Sequence, residues 1–289
     1  MADEPPVDAL IARMELARKL AREAGKILRD MQYEGLHVER KGTIDFVTEA
    51  DRKSERHVIK GIRAMFPSDA IWAEESGAAE SGVGVSWDAG FGWLVDPLDG
   101  TTNYLHGIPH VGVSIGVAYK GVPVVGVVLD PFRDELFHAV RGQGAFRNEQ
   151  PVEVTRTLEL SQSLLATGFP YDRRQYIDRL LSRVANAMRE SHGVRRFGAA
   201  SLDLCWVACG RFDGFFEEGL SPWDMCAGAV IIAEAGGVVT TYEGASFDLM
   251  VPEFVASNGR IHDALLERVV MSGVGRARFT VPDGDMEQE

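Results

Sequence analysis

Trp93-Leu94-Val95-Asp96-Pro97-Leu98-Asp99-Gly100-Thr101-Thr102-Asn103 is the stretch from which the rest of the chain can be read. Its first three residues form a short apolar strand, which ends on two carboxylates three residues apart. Pro97 has no N–H and holds Asp96 in an extended conformation. The turn therefore points Asp96 and Asp99 away from the strand end. Gly100 lets the backbone come close to a ligand. Thr101 and Thr102 follow and are expected to open a short helix whose free N–H groups can bind a phosphate. A simple turn would also use Pro and Asp-Gly; the exposed acids and threonines behind an apolar strand are what favour a site.

Three further segments carry acids at structured positions. Ile71-Trp72-Ala73-Glu74-Glu75-Ser76-Gly77 ends another apolar strand on two acids, which alone would pass for solvated loop residues. Ser221-Pro222-Trp223-Asp224 reads as a helix start, with Ser221 at the N-cap, Pro222 at the first helical position and Asp224 at the third. Thr48-Glu49-Ala50-Asp51 has the same form. A carboxylate at a helix start is held rigidly, and its remaining oxygens can still face a metal. Glu74, Asp96, Asp99 and Asp224 thus form a candidate all-oxygen ligand set, which suits Mg²⁺ or Mn²⁺ rather than zinc. Neither a cysteine nucleophile nor a Ser-His-Asp pattern competes with it. His106 and His110 flank the first segment and are read as structural.

Working outward, hydrophobic spacing predicts a helix over 8–31, with Leu10, Met14, Ala17, Ala21, Ala24 and Leu28 on one face, and a second over 49–66. Strands are expected at 70–73, 93–95, 111–119, 122–129, 135–140 and 145–146. Lys120-Gly121 joins two of them as a hairpin, and 76–92 is a surface loop or hairpin. After residue 155 strand and helix alternate: strands at 163–167, 213–217, 238–241 and 254–257, and helices at 173–191, 202–209, 222–235 and 261–271. At roughly 150 residues per domain, 289 residues make one large domain or two small ones. The expectation is a single layered α+β and α/β domain. Its halves are about 8–155 and 156–272, with a weakly ordered tail at 273–289.

Composition excludes several classes. With 43 acidic and 30 basic residues the formal charge is −13, so a protein that coats nucleic acid or an anionic membrane is not expected. The apolar fraction of 45% argues against disorder. Cys205, Cys209 and Cys226 are too few for a disulfide framework. They are read as small buried thiols of a reducing cytoplasm. The opening MADEPPVDAL has neither a signal nor a transit character. The most apolar run, 110–130, is interrupted by Lys120, Pro123 and several glycines, so it cannot span a membrane.

Together the four acid-bearing segments resemble the inositol monophosphatase family, lithium-sensitive, metal-dependent phosphatases that also include fructose bisphosphatase. Residues 93–103 are similar to its first signature. Trp223-Asp224-Met225-Cys226-Ala227-Gly228, running on to Glu234-Ala235-Gly236-Gly237, is similar to its second. Residues 45–51 and Glu74-Glu75-Ser76 match two further family positions in the expected order, and the resemblance covers roughly 8–265. It implies an alternating α-β-α-β-α sandwich, a homodimer, and two to three Mg²⁺ ions, with Mn²⁺ as the other candidate. Glu74, Asp96 and the Leu98 carbonyl would hold a first ion; Asp96, Asp99 and Asp224 a second; Glu74 a third. Thr101, with Asp51 behind it, would position and activate the attacking water. N–H groups at Gly100, Thr101 and Thr102 would grip the phosphate. Asp99, Gly198, Ala200, Glu217 and Asp224 would face the substrate, with Gly198, Ala200 and Glu217 at its sugar or cyclitol hydroxyls. Ala199 stands where animal enzymes often carry Thr, and Leu220-Ser221-Pro222 is of the bacterial type.

The implied reaction is hydrolysis of inositol monophosphate or a related polyol or sugar phosphate, two metals clamping the attacking and leaving oxygens. Histidinol phosphate, fructose bisphosphate, nucleotide phosphates and glycerol phosphate are same-fold alternatives. A different class is a partner of the transcription machinery, for which Arg173-Arg174 and Arg195-Arg196 are the only basic pairs. The acid cluster itself predicts that an anionic substrate binds only after metal.

Overall fold

The computed structural model describes residues 4–34, 38–40, 46–76 and 90–270. Asp45, the side chain of the proposed cap Thr48, most of the 76–92 loop and the 273–289 tail lie outside the described residues. Helices α1 (Val7–Glu34) and α2 (Glu49–Met65) flank a short antiparallel ladder of β1 (Val38–Arg40) and β2 (Phe46–Thr48). The α1 stripe predicted from spacing is buried at every position.

A seven-stranded sheet follows. Strand β3 (Ala70–Ala73) lies parallel to β4 (Phe91–Asp99). After α3 (Thr101–Leu105) an antiparallel meander runs through β5 (Gly112–Tyr119), β6 (Val122–Asp130), β7 (Glu135–Val140), β8 (Ala145–Arg147) and β9 (Gln150–Pro151). The β5–β6 hairpin turns at Lys120 and Gly121, with φ of 49° and 77°, the left-handed pair a two-residue turn requires. Strand β4 is longer than the three residues read from sequence. It continues past Pro97 to Asp99, and its register with β5 breaks between Asp96 and Asp99, where proline cannot donate to the ladder.

The second sheet has five strands in the order β11-β10-β12-β14-β13: β10 (Leu164–Thr167), β11 (Gly193–Arg195), β12 (Gly214–Glu218), β13 (Val238–Thr240) and β14 (Glu253–Ser257). Strand β10 is parallel to β11 and β12, while β14 is antiparallel to β12 and β13. Its helices are α4 (Ile177–Glu190), α5 (Ala200–Ala208), α6 (Pro222–Glu234) and α7 (His262–Val269). The helix predicted over 173–191 is divided. Arg173–Gln175 is a 3₁₀ turn, and Tyr176, at φ −129°, is outside the helical region before α4 begins.

The layers follow from alternation along the strands. On β5, Val113, Ile115 and Val117 join the core under α1 and α2. On the other face Gly116 and its register partner Gly126 meet α6. A Cβ at Gly126 would lie 2.3 Å from the Ala227 carbonyl oxygen, so α6 rests on bare sheet backbone. On β12, Phe215 faces α5 and α6 and Phe216 faces the outer core that includes α7. The result is the expected α-β-α-β-α sandwich. Cys205 and Cys226 are buried and none of the three thiols is paired. No helix among the described residues is long and apolar enough to cross a membrane.

Candidate active site

The carboxyl ends of the parallel strands β3, β4, β10, β11 and β12 open onto one cavity of 610 Å³, and α5 and α6 start at its wall. Ligands commonly bind at strand carboxyl ends in sheets of this kind. The cavity lining brings together Glu74, Asp96, Leu98, Asp99, Gly100, Thr101, Thr102, Gly198, Ala200, Glu217 and Asp224. Those are all the sequence-predicted site residues except Asp51, which lies buried behind Thr101.

Each side chain is held by local structure. Asp96 is 2% exposed, and its Oδ1 accepts the Leu98 N–H at 2.9 Å, a turn closed around Pro97. Asp99 Oδ2 accepts the N–H and hydroxyl of Ser201 at 2.7 and 2.5 Å, which fastens it to the start of α5. Asp224 Oδ2 accepts the Ser221 N–H at 2.7 Å, the capping arrangement read from sequence, and Asp224 lines the cavity. Ser114, the register partner of Asp96 on β5, donates to the Trp223 carbonyl at 3.2 Å. Trp72 and Trp223 meet edge to face at 5.6 Å, joining the strand before Glu74 to the helix start at Asp224.

Gly100 sits at φ 91°, and a Cβ there would lie 3.2 Å from both the Gly198 and His110 carbonyl oxygens. Glycine is therefore required by conformation and by space. It caps α3, whose first-turn N–H groups have no intrahelical partner. The Thr101 hydroxyl lies 3.3 Å from Asp51 Oδ1 and 3.2 Å from the Leu98 carbonyl oxygen. It can donate to either acceptor and keep a lone pair for water.

Burial sets the electrostatics. Asp96 is raised well above the ordinary carboxylate range, first by burial and then by Glu74, Asp99 and Asp224. Asp224 is raised well by burial and by Asp99, against the opposing Ser221 N–H. Asp99 is raised by burial, with the Ser201 bonds opposing. Glu217 is pushed up to about 8 by burial, with Arg196 opposing and Asp203 and Asp99 adding to the rise. Its carboxyl is pressed against Gly168, where a Cβ would lie 2.0 Å from Oε2.

The Asp96 carboxyl lies among those of Glu74, Asp99 and Asp224, whose charges act on it. Acids so gathered need either shared protons or a cation between them. The donors are carboxylates and one carbonyl, which fits a hard divalent cation. No three His, Cys, Asp or Glu side chains among the described residues close a metal shell by themselves. The Leu98 carbonyl and water would complete it, which is the habit of Mg²⁺.

His110 is buried against Phe197 and Trp206. Burial, then Arg133, lowers it to about 4, so it is a neutral packing group at pH 7. His106 is exposed past the end of α3. Sequence reading missed Ser201, which grips Asp99. It also missed Gly168, Phe169, Tyr171, Arg173, Arg196 and Asp203 as cavity residues. The available signal was position: 168–173 and 196 directly follow strands β10 and β11.

The model of the inositol monophosphatase family matches residues 12–273. The chain belongs to the inositol monophosphatase family. Its family is one of phosphatases. The inositol-1-monophosphatase of Synechocystis is 43% identical over 253 residues, covering 87% of this chain and 86% of that protein. The Nus factor SuhB of Pseudomonas aeruginosa is 42% identical over 261 residues, covering 89% and 95%. The solved inositol monophosphatase of Anabaena superposes with a TM-score of 0.82 at 44% identity, covering 90% of this chain and 96% of that one. The sandwich is thus the fold of inositol monophosphatases.

Proposed function

We propose that this protein is a Mg²⁺-dependent phosphomonoesterase acting on inositol monophosphate or a related small polyol or sugar phosphate. The observation that carries the reading is one cavity joining Glu74, Asp96, Asp99 and Asp224 to the Thr101–Asp51 pair. When bound, divalent cations lower the pKa of water and offset charge on the phosphoryl group. Glu74, Asp96, Asp99, Asp224 and the Leu98 carbonyl would hold them. Thr101 donates toward Asp51 and accepts from the attacking water, fixing its direction. The N–H groups of Gly100, Thr101 and Thr102 hold the phosphate oxygens in line with that water. Gly198, Ala200 and Glu217 receive the hydroxyl-bearing part. Glu217 presents both an acceptor oxygen and, while protonated, an O–H donor to vicinal hydroxyls.

The two sheets are read as one domain, because α6 packs against strands of both and both line the cavity. The protein is further proposed to be a cytoplasmic homodimer inhibited by lithium. The test is phosphate release across inositol, sugar, histidinol, nucleotide and glycerol phosphates, with Mg²⁺, with Mg²⁺ and Li⁺, and with chelator. Release from inositol 1-phosphate with Mg²⁺ only is expected; no release from any substrate would overturn the reading.

The relatives named Nus factor SuhB support a second reading, a partner of the transcription machinery. Of the basic pairs that would serve it, Arg173 and Arg196 line the cavity, while Arg174, Arg195 and Arg196 are exposed. A pull-down that recovers polymerase or antitermination factors supports this second role; one that recovers neither removes it.

A further inference from the structure

The cavity is wider than its acid cluster. Beyond Glu217 and Gly198 its wall is built by Gly168, Phe169, Pro170, Tyr171 and Arg173 after β10 and by Arg196 after β11. Gly168 lies against the Glu217 carboxyl, and an Arg196 nitrogen would sit 2.6 Å from a Cβ at Gly198. Arg196 therefore borders the residues assigned to the hydroxyl-bearing part of the substrate, and Arg173 lines the same cavity. Arg196 lies 5.9 Å from the centre of the Phe169 ring, at the edge of cation–π range.

Elsewhere in this chain several arginines close on carboxylates. Arg179 and Arg183 both bind Glu218, Arg211 and Arg147 bind Glu135, and Arg13 binds Asp69. Arg173 and Arg196 do not. Among the described residues neither has a carboxylate oxygen within the 4.0 Å of an ion pair. Arg173 has only a 3.5 Å contact to the Pro170 carbonyl. Arg196 acts on Glu217 and Asp203 through space without closing on either. Two arginines without a carboxylate partner thus line one cavity, Arg173 half-buried and Arg196 exposed at its rim, and a guanidinium suits phosphate oxygens.

We propose that Arg173 and Arg196 form a second anion subsite, and that the preferred substrate carries a second phosphate group beside the hydroxyls met by Glu217. This rests on the phosphomonoesterase reading for its substrate class, while the subsite itself stands on the two arginines. A polyol bisphosphate then places one phosphate at Gly100, Thr101 and Thr102 and the other between the arginines. A monophosphate leaves the arginines facing water.

The test uses hydrolysis-resistant phosphonate analogues of inositol 1-phosphate and inositol 1,4-bisphosphate, titrated calorimetrically into the full-length protein with Mg²⁺. The expected result is at least tenfold tighter binding of the bisphosphonate by the natural protein. That preference falls to about one in the Arg173→Gln, Arg196→Gln double variant, whose circular dichroism and melting temperature show that it folds. Equal affinity for both analogues in the natural protein overturns the proposal, as does a preference that survives in the double variant. Phosphate release from the two natural esters, measured on the same preparation, judges the phosphatase reading separately. Absence of release removes that reading, and the binding ratio still decides whether the arginine subsite exists.

Discussion

Glu217 offers a test in which the size of the effect can be worked from the structure. It is 8% exposed, and burial lifts it from an ordinary 4.5 to about 8. Because the folded pKa is raised, the associated stability is full below 4.5 and is lost as pH rises through about 8. Between pH 5.5 and 7.5 the folded protein holds a proton that the unfolded chain has released. One such proton costs about 1.4 kcal/mol per pH unit, so about 2.7 kcal/mol is lost across the interval. In a protein of this size that is a fall of roughly 5 °C in Tm. Glu217→Gln keeps the shape and removes the titration. With chelator present, the Tm of the natural protein should therefore fall about 5 °C further over this interval than that of the variant. Asp96, Asp99, Asp224 and Asp203 are also raised by burial, so both proteins decline, and the difference between them reports Glu217 together with its charge on Asp224. Mg²⁺ favours the ionised forms and should restore more Tm at pH 7.5 than at 5.5. Parallel profiles for the two proteins in chelator would refute the reasoning.

Three other outcomes are expected. Thr101→Val removes the hydroxyl between Asp51 and the Leu98 carbonyl. It should lower kcat/KM by about 10²–10⁴, the range for a positioned proton-transfer group, while costing about 1 kcal/mol of stability; phosphate release and urea denaturation measure the two. Gly126→Ala drives a Cβ to 2.3 Å from the Ala227 carbonyl and should destabilise by about 1–3 kcal/mol, read from the urea midpoint at unchanged slope. Arg183→Met leaves Glu218 buried with one of its two guanidinium partners gone. The cost should be about 3–5 kcal/mol by the same assay.

Much of the site was legible because its residues also make local structure. Ser221-Pro222-Trp223-Asp224 announces a helix start, and the same capping geometry aims Asp224 at the cavity. Asp96 and Asp99 come at the carboxyl end of an apolar strand, where the turn chemistry of Pro97 and Gly100 is visible in the sequence. The α1 stripe and the Lys120-Gly121 hairpin follow from periodicity and turn chemistry alone. What was not legible depends on contacts distant in sequence. Ser201 finds Asp99 across 102 positions, and neither residue signals the other. Strands β1, β2 and β11, of three residues each, were not read from the sequence. Arg173 and Arg196 looked like surface basic pairs, and only the parallel pairing of β10 with β11 brings their strand ends to one cavity. The break at Tyr176 was hidden because 173–191 has helical composition throughout.

The central claim is that the acid cluster holds the cations of a phosphomonoesterase. It is tested most directly by phosphate release from inositol 1-phosphate, with and without Mg²⁺, by the natural protein and by Asp96→Asn. Asp96 is the carboxyl on which Glu74, Asp99 and Asp224 all act, and asparagine keeps its size. The account predicts Mg²⁺-dependent release by the natural protein and nearly none by a variant that remains folded. Undiminished Mg²⁺-dependent release by Asp96→Asn would contradict it.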